Sequence, residues 1–231
     1  MKLLILSDIH ANWPALEAVV RAERTWDQVV FCGDAVDYGP HPAECVRWLR
    51  ESATHAVRGN HDNAMAFGQD CRCMGPYRPH SVATRAWHRT LLAADEVAYL
   101  RGLFTIDLFA VGDLHVRVAH ATPLGDLFEY LSPDRWGEAA AGLSADFVLL
   151  GHTHVPGVRT FGSVTVVNPG SVGLARDHGG TACYAVMEDG RVDLRRVPYE
   201  VERTVAALQA APLPADVIDG LVRVVMTGRL G

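Results

Sequence analysis

Three consecutive side chains near position 60 can each take part in chemistry. Asn60 offers an amide oxygen, His61 exchanges a proton near neutral pH, and Asp62 carries a carboxylate. The preceding Gly59 permits a tight backbone that presents them together. Taken alone, the segment fits a solvated loop equally well, because Gly-Asn is an ordinary turn dipeptide. Similar groups elsewhere in the chain are needed to decide between the two.

Polar side chains of metal-binding type also follow four apolar runs, at Asp8 and His10, at Asp34, at His120, and at His152 and His154. Residues two apart in an extended segment lie on one face, so Asp8 and His10 can approach one ion from the same side. The same holds for the last two histidines. Two alternatives stay open: Asp8 caps the following helix, or the histidines merely alternate at a strand end.

Apolar runs alternate with helical patterns over about the first 60 residues, which predicts parallel βαβ units with the ligand site beyond the carboxyl ends of the strands. Three hairpin signals follow, around Gly112, Gly162 and Gly190. Residues 80–101 have a helical pattern, whereas residues 65–79 lose periodicity, as either a lid or substrate loop or a plain connection. We expect one domain over residues 1–231, with a helical tail at about 199–231.

Composition narrows the class of protein. The 231 residues carry a formal net charge of -6 and no run of Lys or Arg, which indicates neither a nucleic-acid footprint nor binding to an anionic membrane. No apolar run approaches the ~18 residues of a membrane span. Five cysteines without scaffold spacing, and no signal peptide before the first strand, predict the cytoplasm. Cys71 and Cys73 are interpreted as free thiols, because a zinc site would need two more partners nearby.

The candidate ligands are two carboxylates, one amide oxygen and four imidazoles, namely Asp8, His10, Asp34, Asn60, His120, His152 and His154. A set of this kind, without thiolate, suits manganese, iron, zinc or nickel. Seven ligands are too many for one small divalent ion. They suit two ions that share a bridging carboxylate, and Asp34 is the natural bridge because it comes from the central segment.

With these motifs the chain resembles the calcineurin-like metallophosphoesterases. The matching segments, in family order, are Asp8-x-His10, Gly33-Asp34-x-x-Asp37, Gly59-Asn60-His61-Asp62, His120 and Gly151-His152-x-His154. Further likeness, in Asp37-Tyr38-Gly39-Pro40, in Asn168-Pro169-Gly170-Ser171 and in the helical tail, is to a bacterial subgroup related to diadenosine tetraphosphatases and small phosphodiesterases.

The resemblance implies a fold, an activity and roles for the residues. The fold would be a four-layer αββα sandwich of two mixed sheets flanked by helices. The activity would be hydrolysis of small phosphomonoesters, phosphodiesters or dinucleoside polyphosphates by a hydroxide that bridges two metal ions, with manganese the ion best suited to support it. One ion would be held by Asp8, His10, Asp34 and His154, and the other by Asp34, Asn60, His120 and His152. His61 would be the catalytic histidine.

Some assignments stay open. Asp62 either orients His61 or is a surface aspartate without a catalytic part. Residues 65–88, with Arg72, Arg78 and Arg85, are expected to shape substrate choice.

The alternative to an enzyme is a metal-binding scaffold of the same fold without turnover. Scaffold members of the family usually lack a ligand or the catalytic histidine, and the presence of the whole set here favours the enzyme.

Overall fold

The structure is a computed structural model that describes residues 1–73 and 75–230. The strands within these ranges are β1 (Lys2–Leu6), β2 (Gln28–Phe31), β3 (His55–Ala56), β4 (Ile106–Val111), β5 (Leu114–Ala119), β6 (Phe147–Leu149), β7 (Gly157–Phe161), β8 (Val164–Asn168), β9 (Thr181–Glu188) and β10 (Arg191–Pro198). The helices are α1 (Trp13–Glu23), α2 (Pro42–Ser52), α3 (Asn60–Phe67), α4 (Tyr77–Leu91), α5 (Ala94–Gly102), α6 (Trp136–Ala140), α7 (Val201–Gln209) and α8 (Ala215–Thr227).

The described strands form two mixed five-stranded sheets. The first has the order β10-β9-β1-β2-β3, in which β1, β2 and β3 are parallel and β9 and β10 are antiparallel. The second has the order β4-β5-β6-β8-β7, with a parallel centre and antiparallel edge strands. The parallel βαβ opening and the three later hairpins are confirmed.

The two faces of β1 show how the layers pack. Leu3 and Ile5 point into the core between the two sheets, whereas Leu4 and Leu6 point into the core beneath the helices. Both faces are covered, which explains why β1 is apolar throughout. On the outer face of the second sheet, Trp136 of the short helix α6 is buried. The predicted sandwich of two mixed sheets flanked by helices is confirmed.

The structure differs from expectation around position 60. Asn60 and His61 do not lie in a solvated loop but begin helix α3, because Asp62, its third residue, accepts the N–H of Gly59 at 3.0 Å and closes the first turn. The irregular segment is accordingly shorter than predicted, since α3 ends at Phe67 and α4 begins at Tyr77. The predicted helical region is two helices, α4 and α5.

The C-terminal helices belong to the packed body. Helices α7 and α8 share an apolar core with Tyr38 and Leu174. The Thr204 hydroxyl on α7 donates to Asn12 Oδ1 at 2.8 Å. None of the helices in the described ranges combines the length and the apolarity that a membrane crossing requires.

Candidate metal centre

The seven predicted ligands meet where the parallel strands of both sheets end. They follow β1 (Asp8, His10), β2 (Asp34), β5 (His120) and β6 (His152, His154), or begin α3 after β3 (Asn60). All seven are buried. Their donor atoms form close groups, among them Asp8 with His10 and His154, and Asp34 with His120 and His152.

The backbone around these residues is unusual. Five of the seven have a positive φ, a conformation that costs free energy for any residue except glycine: Asp8, His10, Asp34, His152 and His154. Gly59 is needed for a different reason, since a Cβ at this position would overlap the Asp34 carboxylate. Strained loops of this kind persist only where the surrounding structure holds them, and they are typical of functional sites.

One half of the site is built from Asp8, His10 and His154. His10 donates its Nδ1–H to the Val36 carbonyl at 2.8 Å, and His154 donates its Nδ1–H to the Leu174 carbonyl at 2.7 Å. Carbonyl oxygens only accept, so each ring keeps an unprotonated Nε2. These two nitrogens lie 3.2 Å apart, and Asp8 Oδ1 lies 3.3 Å from Nε2 of His154.

The other half is built from Asp34, Asn60, His120 and His152. Nε2 of His120 lies 3.1 Å from both Asp34 Oδ2 and Asn60 Oδ1, and Nδ1 of His152 lies 3.1 Å from Asn60 Oδ1. His120 donates its Nδ1–H to the Cys32 carbonyl at 2.8 Å, which aims Nε2 at the carboxylate. Burial lowers the pKa of His120, but the charge of Asp34 outweighs burial and raises it to about 9.

The first half fits a metal ion on electrostatic grounds. Burial lowers the pKa of His10 to about 3 and that of His154 well below its usual range, so both rings are neutral and direct lone pairs at each other. Asp8 Oδ1 is buried and accepts no hydrogen bond within the described residues. A divalent cation would take the lone pairs of all three groups, and oxygen and imidazole donors suit a transition metal.

His61 lies between this centre and a second polar network. Its Nε2 is 4.0 Å from Asp34 Oδ2, and its Nδ1 lies 2.7 Å from Asp37 Oδ2. The Ser81 hydroxyl and the Arg85 guanidinium also donate to Asp37 Oδ2, at 2.8 and 2.5 Å. Burial opposes protonation of His61, but Asp34 and Asp37 outweigh burial and raise its pKa well above the usual value.

Asp62 does not orient His61, contrary to one of the two expectations. Its carboxylate accepts the backbone N–H groups of Asp34 at 2.8 Å, Ala35 at 2.8 Å and Gly59 at 3.0 Å. The cause is its place in the first turn of α3, from which the side chain turns back toward the helix N-terminus. Asp62 therefore holds the loop that carries Asp34, and it is buried rather than a surface residue.

The arginines of residues 65–88 lie in three different settings. Arg85 is buried and belongs to the network behind His61, so it is not free for substrate. Arg78 pairs with Asp70 on the outside at 2.6 Å. Arg72 is exposed and stacks on the Phe128 ring, with its Cζ 4.3 Å from the ring centroid.

Sequence reasoning missed three residues near the centre. Asp37 stood in a recognised motif, but only the structure pairs it with His61. Arg176 stacks on the Tyr77 ring at 4.4 Å, and its buried Nε has no hydrogen-bond partner among the described residues. The Tyr130 ring lies 4.1 Å from the ring of His152. No sequence signal marks Arg176 or Tyr130, because each reaches the centre from a loop.

Comparison with known proteins identifies the family. A family model described as a calcineurin-like phosphoesterase superfamily domain matches residues 1–190. The chain belongs to this superfamily. Membership confirms the resemblance based on the sequence motifs, together with the prediction of a hydrolase that acts on phosphate esters.

Individual relatives cover most of the chain. A metallophosphoesterase of Sphaerobacter thermophilus has a solved structure with 31% sequence identity and a TM-score of 0.81, and the match covers 99% of each chain. An uncharacterized protein of Methanocaldococcus jannaschii is 27% identical over 232 residues, which cover 92% of this chain and 93% of that protein. The phosphodiesterase YfcE of Escherichia coli is 27% identical over 201 residues, which cover 82% of this chain and 88% of that protein.

Proposed function

We propose that this phosphoesterase is binuclear and hydrolyses small phosphomonoesters, phosphodiesters or dinucleoside polyphosphates. The observation that carries the proposal is the position of Asp34 between two buried groups of donors. Its Oδ2 lies 3.9 Å from Nε2 of His10 on one side and 3.1 Å from Nε2 of His120 on the other. A carboxylate in this position can serve two ions at once.

The donor set fits a hydrolytic centre of this type. Two divalent ions held there would lower the pKa of water toward neutrality and withdraw charge from the phosphoryl oxygens. We assign one ion to Asp8, His10, Asp34 and His154, and the other to Asp34, Asn60, His120 and His152. Manganese is the ion we propose to support activity, because the donors are oxygen and imidazole without thiolate.

Arg176 supports an anionic substrate. Burial and then the charge of Arg176 lower the pKa of His154 well below its usual range, which places this positive charge beside the centre. The Arg176 guanidinium lies over the Tyr77 ring, and a guanidinium can donate hydrogen bonds to a phosphate oxygen. Together with the nearby ring of Tyr130, it would favour an ester that carries an aromatic group.

We assign His61 to the chemistry of the leaving group. Asp37 holds its Nδ1, so the ring presents Nε2 toward Asp34 and the donors around it. The charges of Asp34 and Asp37 outweigh burial and raise the pKa of His61, which favours the protonated ring. A protonated His61 can donate to the departing oxygen, which is typically worth ~10²–10⁴-fold in rate.

A non-catalytic scaffold of the same fold is the competing function. All seven ligands and His61 are present and buried at one site, which supports the enzyme. The cytoplasm stays a prediction from cysteine usage, and the cysteines are free thiols.

The deciding experiment is a substrate panel on protein purified without chelator and supplied with manganese. An aryl monoester, an aryl diester, cyclic nucleotides and diadenosine tetraphosphate are tested in parallel with Asp34→Asn as the control. We expect turnover of at least one class, abolished in the control. Absence of turnover on the whole panel, with both ions bound by elemental analysis, would favour the scaffold.

A further inference from the structure

A second group of metal-binding atoms lies behind the catalytic histidine. Sγ of Cys71, Sγ of Cys73 and one ring nitrogen of His61 all lie within 4.8 Å of one another. The three side chains are buried, and the two sulfur atoms are 2.8 Å apart. This group shares none of the seven proposed ligands of the centre described above, which contains no sulfur, although its His61 also lies close to His10 and Asp34.

The loop that carries the thiols is anchored to the catalytic centre. Asn60 donates from Nδ2 to the Cys71 carbonyl at 2.7 Å, so a ligand of the main centre also fixes the position of Cys71. Ser81 lies 3.3 Å from Cys71 Sγ and can occupy a further coordination position. The neighbouring side chains of Asp70 and Arg72 are exposed, so the thiols lie just beneath the surface along the chain.

The chemistry of the donors selects the kind of ion. Two thiolates and one imidazole form a soft set, which zinc prefers and manganese does not. A divalent ion with two thiolates is neutral, and the adjoining pair of Asp37 and Arg85 is neutral too, so burial of the whole group leaves no net charge. Zinc–sulfur bonds of ~2.3 Å separate the sulfurs of a tetrahedral site by about 3.8 Å. Binding therefore requires the two thiol side chains to move apart by about 1 Å.

We propose that Cys71, Cys73 and His61 form a binding site for a thiophilic divalent ion of the zinc class, which inhibits the enzyme by engaging the catalytic histidine. The ion displaces a proton from each thiol and one from the His61 ring, all three of which pass to solvent, and it draws His61 away from Asp37. His61 then no longer donates to the leaving oxygen. The inhibitory effect rests on the proposed function, whereas the binding itself does not.

Cobalt(II) is the probe that tests binding. A thiolate–cobalt bond gives a near-ultraviolet charge-transfer band, and the main centre cannot produce this band because it has no sulfur ligand. Added to the reduced full-length chain, cobalt should give a band that saturates at about one ion per chain, and zinc should abolish it by displacement. If protein whose thiols are shown to be reduced gives no band, the proposed site is overturned.

Four variants assign the band. Cys71→Ser and Cys73→Ser should each lose it, while Cys183→Ser, which removes a buried thiol in β9, should keep it. Asp34→Asn should also keep it, so failure of the main centre is distinguished from failure of this site. A band that survives in both Cys71→Ser and Cys73→Ser would overturn the assignment. The assignment would also be overturned if Cys71 and Cys73 form a disulfide in air and the protein gives no band after that disulfide is reduced.

Inhibition is tested on enzyme already loaded with manganese. For each protein, the rate with zinc is divided by its own rate without zinc. We expect this factor of inhibition to be at least tenfold larger for the wild type than for Cys73→Ser. Equal inhibition of both proteins would place the effect of zinc at the main centre and overturn the inhibitory role.

Discussion

Asp37 is the side chain that fixes the ring of His61, and its charge is balanced by Arg85. Asp37→Asn keeps the shape but removes the charge, so the ring loses its orientation and its raised pKa. We expect kcat to fall roughly 10–100-fold, as for other residues that orient a functional imidazole. Bound metal should be unchanged, because Asp37 is not among the ligands.

Asp70→Asn is the matched control, since it also separates an aspartate from an arginine but on the exposed surface. Its kcat should equal that of the wild type. A loss of metal from Asp37→Asn as large as its loss of activity would show that Asp37 serves the ions instead of His61.

Replacement of His61 separates acid catalysis from charge stabilisation. His61→Ala should lose about 10²–10⁴-fold on alkyl or nucleoside esters, whose leaving oxygen needs a proton, and much less on activated aryl esters. Its metal content should stay that of the wild type. His115→Ala, at an exposed position on β5, is the control.

Two results would reassign this residue. Loss of metal would make His61 a ligand, in keeping with its closeness to His10 and Asp34. Equal losses on all leaving groups would favour stabilisation of the phosphoryl oxygens.

The seven proposed ligands were recognisable in the sequence as single residues, because their types and spacing fit metal binding. The side chains that surround these seven residues were not recognisable from the sequence. Arg85 meets Asp37 across 48 positions of sequence, and Arg176 stacks on Tyr77 from a distant loop, so neither contact follows from local pattern. Asp62 shows the reverse case, since a polar residue beside a functional one served the backbone.

At the level of elements, Glu23 joins the end of α1 to the first sheet. Glu23 is 7% exposed, and its carboxylate accepts hydrogen bonds from Tyr184 at 2.8 Å and from Arg195 at 2.7 Å. The ammonium nitrogen Nζ of Lys2 lies 2.8 Å from Glu23 Oε2. Burial would raise the pKa of Glu23, but the hydrogen bonds from Lys2, Arg195 and Tyr184 outweigh burial and lower it. A lowered pKa stabilises the folded state above the unfolded value of ~4.3, and this stability is lost as the pH falls through the folded value.

Glu23→Gln should therefore reduce stability at pH 7 by about 1–3 kcal/mol, with a fall in Tm of roughly 2–4 °C for each kcal/mol. The difference from wild type should shrink below pH ~4, where the wild-type carboxylate takes up a proton. Thermal unfolding across this pH range is the measurement. Glu129→Gln, in an exposed ion pair with Arg135, should change Tm little at any pH, and a deficit in Glu23→Gln that is constant with pH would contradict the electrostatic account.

Periodicity predicted the strands and helices well, because both faces of β1 and one face of each long helix are apolar. It does not predict the start of a helix at Asn60, since Gly-Asn after a strand is equally typical of a turn. The helix begins there because Asp62 caps it, a local signal that was interpreted as catalytic chemistry instead.

At the scale of the whole molecule, the proposed ligands divide between the two sheets. Asp8, His10, Asp34 and Asn60 follow strands of the first sheet, and the three later histidines follow strands of the second. Bound ions should therefore stabilise the packing of one sheet on the other. At free metal 100 times the Kd this is worth ~2.7 kcal/mol per ion, so a strong chelator should lower Tm by several degrees.

Asp34→Asn provides the comparison for this measurement, since it weakens both donor groups and should respond less to chelator than the wild type. An unchanged Tm in wild-type protein whose ions have been removed, as verified by elemental analysis, would contradict the coupling of metal to sheet packing.

The C-terminal helices show the limit of sequence at this scale. The sequence predicts a helical tail after the last strand, but not that its helices pack on Tyr38 and Leu174. That contact joins residues far apart in the chain, and helical periodicity carries no information about the partner.

The order of the proposed ligands along the chain also affects when a metal ion can bind during protein synthesis. A ribosome completes the ligands of the first sheet at Asn60, and 94 residues later it completes those of the second at His154. At ~5–20 residues per second this interval lasts roughly 5–20 s. During it the nascent protein holds only part of either proposed set of ligands, so we expect its early carboxylates and imidazoles to bind metals weakly and to exchange them freely. The choice of metal is then made only after both sheets exist, by the ions that the compartment offers at that moment.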